Sequence, residues 1–310
     1  WSSLASSADG TRLIAGLKND FIHMSVNSGV DWFFRTYTPR QWKSVASSSD
    51  GVVLYAVDNT PGYIYTSNNS GANWTTQTSA GEKRWASITS SADGSSLAVV
   101  HDSTGYIYTS TDSGATWTAQ SSAGARRWSS VAISADGLKL VAADATPGYI
   151  YTSTNAGLTW TPQTASGARK WSSVASSAGG SRLVAVDSTP GYIYISTNSG
   201  VTWTAQTAAG ARSWRSVATS SDGTKVIAVA SNSNIFTGVF IPNSIATSTL
   251  SDTSYCLGTS LSIPFTVLGI YDGNNVFTAQ LSDSVGSFTT PTTIGTLTGT
   301  ASGADRKSTR

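Results

Sequence analysis

Apolar residues along most of this chain come in short runs, separated by turn residues at nearly constant intervals. In the stretch from Trp171, Trp171-Ser-Ser-Val-Ala175 alternates and Ala178-Gly-Gly-Ser181 turns. Leu183-Val-Ala-Val186 is a compact apolar run, and Asp187-Ser-Thr-Pro-Gly191 turns again. Tyr192-Ile-Tyr-Ile195 follows, then a turn from Ser196 to Gly200, then Trp203-Thr-Ala-Gln-Thr207. Four short runs rich in β-branched and aromatic residues, bounded by Gly, Pro, Asp and Ser, predict four strands. No segment carries a helical period.

The same pattern recurs along the chain. One tryptophan opens a near-identical phrase at Trp1, Trp42, Trp85, Trp128, Trp171 and Trp214, at spacings of 41, 43, 43, 43 and 43. Another recurs at Trp32, Trp74, Trp117, Trp160 and Trp203, and the two registers use all 11 tryptophans. Four strands in a period of about 40–45 residues predict an all-β fold, a β-propeller of about six four-stranded blades over residues 1–240. The sixth blade is incomplete, because no second tryptophan follows Trp214. The first unit also departs: Lys18-Asn-Asp-Phe21 stands where the others have Thr-Pro-Gly-Tyr or a close variant. Atypical end units are expected of a repeat array, and the chain is expected to be part of a larger one.

Residues 241–303 lose the repeat but keep alternating stretches such as Leu261–Val267 and Val276–Leu281. They predict a partial β-sandwich-like module, immunoglobulin-like in general shape. Residues 304–310 are polar and predict a disordered tail.

The phrase before the second tryptophan reads Ser110-Thr-Asp-Ser-Gly-Ala-Thr-Trp117 in its acidic form. Its other copies carry Asn27, Asn69, Asn155 and Asn198 in place of Asp112. Asn or Asp folds its side chain onto turn amides, and Gly supplies a positive φ. With Trp32, Trp74, Trp117, Trp160 and Trp203 as anchors, these positions are expected to be structural. Five copies at the repeat period resemble the Asp-box, Ser/Thr-x-Asp-x-Gly-x-Thr-Trp, of sialidase-type propellers, known also as the bacterial neuraminidase repeat. Propellers of this kind occur in sialidases, xyloglucan-cleaving glycosidases, sortilin-type receptors, photosystem II assembly-factor-like proteins and many secreted bacterial repeat proteins. The resemblance covers residues 1–240 and implies that the Asp-box is a folding element away from any active site. Ser254-Tyr-Cys-Leu-Gly258, Pro264-Phe-Thr266 and Asn275–Asp283 are similar to modules of large bacterial adhesin-like surface proteins.

Composition narrows the function. A net charge of +2 with 12% charged residues gives no basic footprint for nucleic acid. No apolar run reaches the roughly 18 residues of a membrane span. A single cysteine, Cys256, forms no internal disulfide. Low charge and abundant Ser and Thr suit a secreted or cell-surface protein.

Catalytic chemistry finds little support. The sialidase resemblance implies three arginines, a Tyr/Glu pair and an acid/base Asp, yet Glu82 is the only glutamate. Glycosidases in general need two carboxylates flanking the bond. Asp9, Asp50, Asp93, Asp136 and Asp222 belong to repeated Asp-Gly turns. Asp20 and Asp31, in the divergent first unit, are the least periodic acids and the best remaining candidates. His23 and His101 occupy different registers without a metal-binding cluster, so no metal or cofactor is expected. Catalysis stays an open alternative, as a glycoside hydrolase.

One polar constellation repeats. A basic residue stands two before each blade-opening tryptophan: Arg40, Lys83, Arg126, Arg169 and Arg212. Asp58, Asp144 and Asp187 precede Thr-Pro-Gly, with His101 in the equivalent place, and Tyr63, Tyr106, Tyr149 and Tyr192 follow. One reading is an ion pair between blades beside core aromatics. The other is a set of weak pockets acting together, with Arg and Asp bonding sugar hydroxyls and an aromatic face covering the ring. The expected function is non-catalytic binding or adhesion toward a glycan or another surface protein. A third reading makes the propeller a spacer in a larger surface protein.

Overall fold

The computed structural model describes residues 1–35, 38–239, 244–247, 260–268, 276–281, 289, 292–298 and 303–308. The chain divides into two compact units, Trp1–Gly238 and Val239–Arg310.

The first unit is a β-propeller of six antiparallel blades, five with four strands and the sixth with three among the described residues. In blade four the strands run Trp128–Ile133, Leu140–Asp144, Ile150–Ser153 and Thr161–Gln163, each hydrogen-bonded to the next. Blades two, three and five repeat this order from Trp42, Trp85 and Trp171. Blade one is built from Ser3–Ser6, Leu13–Gly16, Ile22–Ser25 and Phe33–Phe34, and blade six from Trp214–Thr219, Lys225–Ala230 and Ile235–Val239.

The second strand shows why the sequence reads as apolar without alternation. Leu97–His101, Leu140–Asp144 and Leu183–Asp187 are buried at every position. Both faces of such a strand are covered by neighbouring blades, so both must be apolar. The core therefore lies between blades. Val141, Ala143 and Ile150 of blade four cluster with Trp171, Val174 and Ala185 of blade five. Tyr55, Val57 and Ile64 of blade two meet Trp85, Ile88 and Val99 of blade three in the same way.

Four of the blade-opening tryptophans anchor their junctions. The indoles of Trp85, Trp128, Trp171 and Trp214 donate to the carbonyls of Gly62, Gly105, Gly148 and Gly191 in the preceding blade, at 2.9–3.0 Å. The rings stand edge-on to an aromatic of their own blade, as Trp128 does to Tyr151 at 5.2 Å. A register shift follows each of these tryptophans, at Trp128/Ser130 for example, a β-bulge that twists the strand.

Two series of hydrogen bonds cross every junction, each in a single sense and the two opposed. The amides of Val45, Ile88, Val131, Val174 and Val217 donate to the hydroxyls of Ser3, Ser44, Ser87, Ser130 and Ser173 in the preceding blade. At the hairpins, the Ala8 amide donates to the Ser49 carbonyl, Ser49 to Ala92, Ala92 to Ala135, Ala135 to Ala178, and Ala178 to Ser221. Among the described residues neither series continues from blade six to blade one, and their inner strands do not pack as the other neighbours do.

The second unit contains a three-stranded sheet of Ser244–Thr247, Ser260–Leu268 and Gly303–Ser308, and a pair of strands, Val276–Leu281 and Thr292–Thr298. The expectation of a disordered end is corrected over 304–308, because Gly303–Ser308 pairs antiparallel with Ser260–Phe265, and residues 309–310 lie outside the described residues. Polar side chains do not bar pairing, since the ladder is made by the backbone. The phrase 254–258 lies outside the described residues.

Replacing Trp128 with alanine is expected to cost about 3–5 kcal/mol, the range for deleting a large buried aromatic. Trp1→Ala, on an exposed ring, is expected to stay within about 0.5 kcal/mol. Urea denaturation followed by circular dichroism compares the two, and equal losses would contradict the core between blades.

Candidate functional site

The repeated acids do structural work. Asp9, Asp93 and Asp222 accept from the hydroxyls of Ser7, Ser91 and Ser220 and from backbone amides two residues on. These bonds, the serine's first, bring each carboxyl down to about 2. Asp50 and Asp136 are lowered in the same way, led by Ser48 and Ser134. A carboxyl held this far below neutrality is a poor proton donor.

The turn before the second tryptophan is closed by side chains. Oδ1 of Asn27, Asn69, Asp112, Asn155 and Asn198 accepts the amide four residues on, at 2.9 Å in all five. The serine two residues before it accepts the glycine amide, as Ser110 does from Gly114 at 2.9 Å. Gly114 has φ 86° and a virtual Cβ 3.2 Å from Leu97 and Thr66, so glycine is required by backbone and space together. Trp32, Trp117 and Trp203 donate back to the glycine carbonyl. Trp74 and Trp160 do not make that bond.

The row of basic residues is built differently from the expectation. Arg40, Arg126 and Arg169 pair with Asp58, Asp144 and Asp187 at 3.7, 3.5 and 3.9 Å. Both partners belong to one blade, because the first and second strands place them side by side. The ion pair between blades is therefore corrected to a pair within blades two, four and five. What crosses the junction is the backbone: Lys83, Arg126, Arg169 and Arg212 bridge Gly62, Gly105, Gly148 and Gly191. At the first junction Lys18–Asp20 pairs instead with Arg40 and Gln41.

The aromatic partner also differs. The cations lie over Tyr65, Tyr108, Tyr151, Tyr194 and Phe236, at 4.5–5.2 Å. Tyr63, Tyr106, Tyr149 and Tyr192, two residues earlier, are not the rings they cover. Asp58, Asp144 and Asp187 are buried and accept a second set of bonds from Thr60, Thr146 and Thr189. Arg126, Arg169 and Arg212 also donate through Nε to the carbonyls of Ala123, Ser166 and Ala209. Each guanidinium is thus tethered through Nε to the connection that precedes its blade.

Blade two is the exception. No such Nε bond holds Arg40 among the described residues, and Trp42 finds no glycine carbonyl because Lys18–Asp20 replaces the usual loop. Here a cleft of about 360 Å³ opens, lined by Arg35, Arg40, Trp42, Tyr65, Asn73 and Trp74 among others. Arg35 lies 4.4 Å over Phe33 and Arg40 lies 4.8 Å over Tyr65. The indole N–H groups of Trp42 and Trp74 are without partners among the described residues. No carboxylate is among the described residues that line the cleft.

No family model matches the chain, and no curated protein does. Solved structures do. The GH74 xyloglucanase from Xanthomonas campestris is similar with a TM-score of 0.63 at 13% identity, over 77% of this chain and 43% of that one. The GH74 enzyme of Niastella koreensis gives 0.60 at 17%, over 76% of this chain and 36% of that one. YCF48 from Cyanidioschyzon merolae gives 0.58 at 14%, over 99% and 94%. The chain thus spans less than half the length of either GH74 enzyme. At these identities the likeness is one of propeller fold.

The remaining acids stay apart from the cleft. Glu82 takes the Tyr63 hydroxyl as a hydrogen-bond donor, which pushes that phenol up. Asp20 lies 3.6 Å from His23, and Asp31 accepts from Asn27. Among the described residues no metal-binding group of His, Cys, Asp and Glu forms. Tyr65, Trp42 and Arg35 were the residues missed. The break in the repeat at 18–21 was the available signal for Trp42.

Blade three carries a pH-sensitive variant of the row. His101 is buried where the others have Asp, with Nδ1 2.9 Å from Ser103 Oγ. Burial first, then the Lys83 charge, lowers its pKa below 6.5, against a smaller pull from Asp102. The stability of this neutral ring is whole above about pH 6.5 and drains away as the pH falls toward the lower native value. His101→Asp is expected to flatten that loss between pH 7 and 5 in urea melts. An unchanged acid slope would assign the loss elsewhere.

Proposed function

We propose that this is a non-catalytic binding propeller, secreted or displayed at a cell surface, that takes a glycan at the blade-two cleft. The cleft itself supports this reading most. It joins two guanidinium groups, a side-chain amide and the half-buried Trp74 ring, with no carboxylate among the described lining residues. A sugar offers the complement: hydroxyl oxygens for the donors and an apolar ring face for the aromatics. Hydrolysis of a glycoside needs two carboxyl groups across the bond, and the cleft supplies neither. The wider set of equivalent pockets, one per blade, is less favoured, because Arg126, Arg169 and Arg212 are each held by an Nε bond to a carbonyl that Arg40 lacks among the described residues.

Arg35 and Asn73 are exposed, so Arg35→Ala and Asn73→Ala should fold normally. Each is expected to weaken glycan binding about tenfold or more on a hit found by array, while Arg169→Ala leaves the affinity unchanged. A broad array without hits, or hits indifferent to Arg35→Ala, would count decisively against the cleft.

A further inference from the structure

The five internal junctions define what each end of the blade array is shaped to meet. A blade offers its successor three apolar positions on the second and third strands, such as Val141, Ala143 and Ile150. In the same register blade six offers Ile227, Val229 and Ile235, and here Ile227 is 43% and Ile235 66% exposed. A blade receives its predecessor on its opening tryptophan and the residue three further on, as with Trp171 and Val174. Blade one carries Trp1 and Leu4 there, 74% and 63% exposed, with Trp32 beside them.

The polar groups complement one another as well. Ser216 stands where Ser173 accepts the next blade's amide, and Leu4 stands where Val217 donates. The hairpin series leaves the Ser221 amide at one end and the Ala8 carbonyl at the other. Charge follows the same logic. Arg12 lies across Gly51 of the next blade, and its charge helps hold Asp50 ionised. Lys139 lies across Gly180, and Arg182 across Gly223. Blade six presents Lys225 in that place, while Gly10 of blade one has nothing within 4 Å and sits beside Asp9. A hydrophobic face, two hydrogen-bond series and a cation–carboxylate pair are thus split between opposite ends.

We propose that copies of this chain join head to tail, blade six of one seated on blade one of the next, through the interface that joins its own blades. Such an interface is heterologous: it uses different patches on the two copies, and it closes into a ring or extends.

Sedimentation of the full chain over a concentration series tests this, with Leu4→Glu and Ile227→Glu as variants. Both residues are exposed, so both variants should keep the wild-type circular dichroism. The wild type is expected to gain mass with concentration. Each variant alone is expected to stay monomeric, since one of its ends is blocked. Mixed, the two variants should form a one-to-one dimer and stop there, because each supplies the end the other lacks. A wild type that stays monomeric at every soluble concentration overturns the proposal, the faces then belonging to some other occupant. So does association that either variant leaves intact, or a mixture that gains nothing over the single variants.

Discussion

The face-to-face contact between neighbouring blades carries this structure, because no blade buries its own apolar residues. A four-stranded sheet has two faces, and here both are apolar at the second strand. The tryptophan that opens each blade, the glycine carbonyl it reaches and the serine beside it all act across a junction. Stability in such an array is close to a sum of neighbour terms. That explains why the repeat is kept so strictly: a change in one blade alters two interfaces.

Much of this was legible in the sequence. The spacing of Trp42, Trp85, Trp128, Trp171 and Trp214 marks the inner strands, and the turn residues bound the others. The chemistry of the polar row was not. Tyr63 and Tyr65 both lie in the same phrase, and strand alternation does not say which of two nearby rings meets the cation. Arg40 and Asp58 are 18 positions apart, and only the register Trp42↔Asp58 puts them in one blade. The strand at Gly303–Ser308 was missed for a different reason: its composition is polar, and the backbone pairing it makes is not written in side-chain pattern.

The candidate site was legible only as a disturbance. Lys18-Asn-Asp-Phe21 interrupts the repeat, and the strand it forms removes the carbonyl that the other opening indoles use. The cleft opens beside that disturbance. Regularity elsewhere works against chemistry in a direct sense. The repeated carboxyls are tied to serine hydroxyls and turn amides, and the repeated arginines to aspartates and carbonyls. A group held in place by a turn is oriented by the fold rather than toward a substrate.

The one-way sense of the hairpin hydrogen bonds has an evolutionary consequence. Because each blade donates to the one after it and accepts from the one before, duplication of a whole 43-residue unit adds one matched interface and spoils none. Loss of a unit is equally clean. Blade number can therefore drift by gene duplication and deletion with little selective resistance, while the residues inside a unit are held under constraint from both sides.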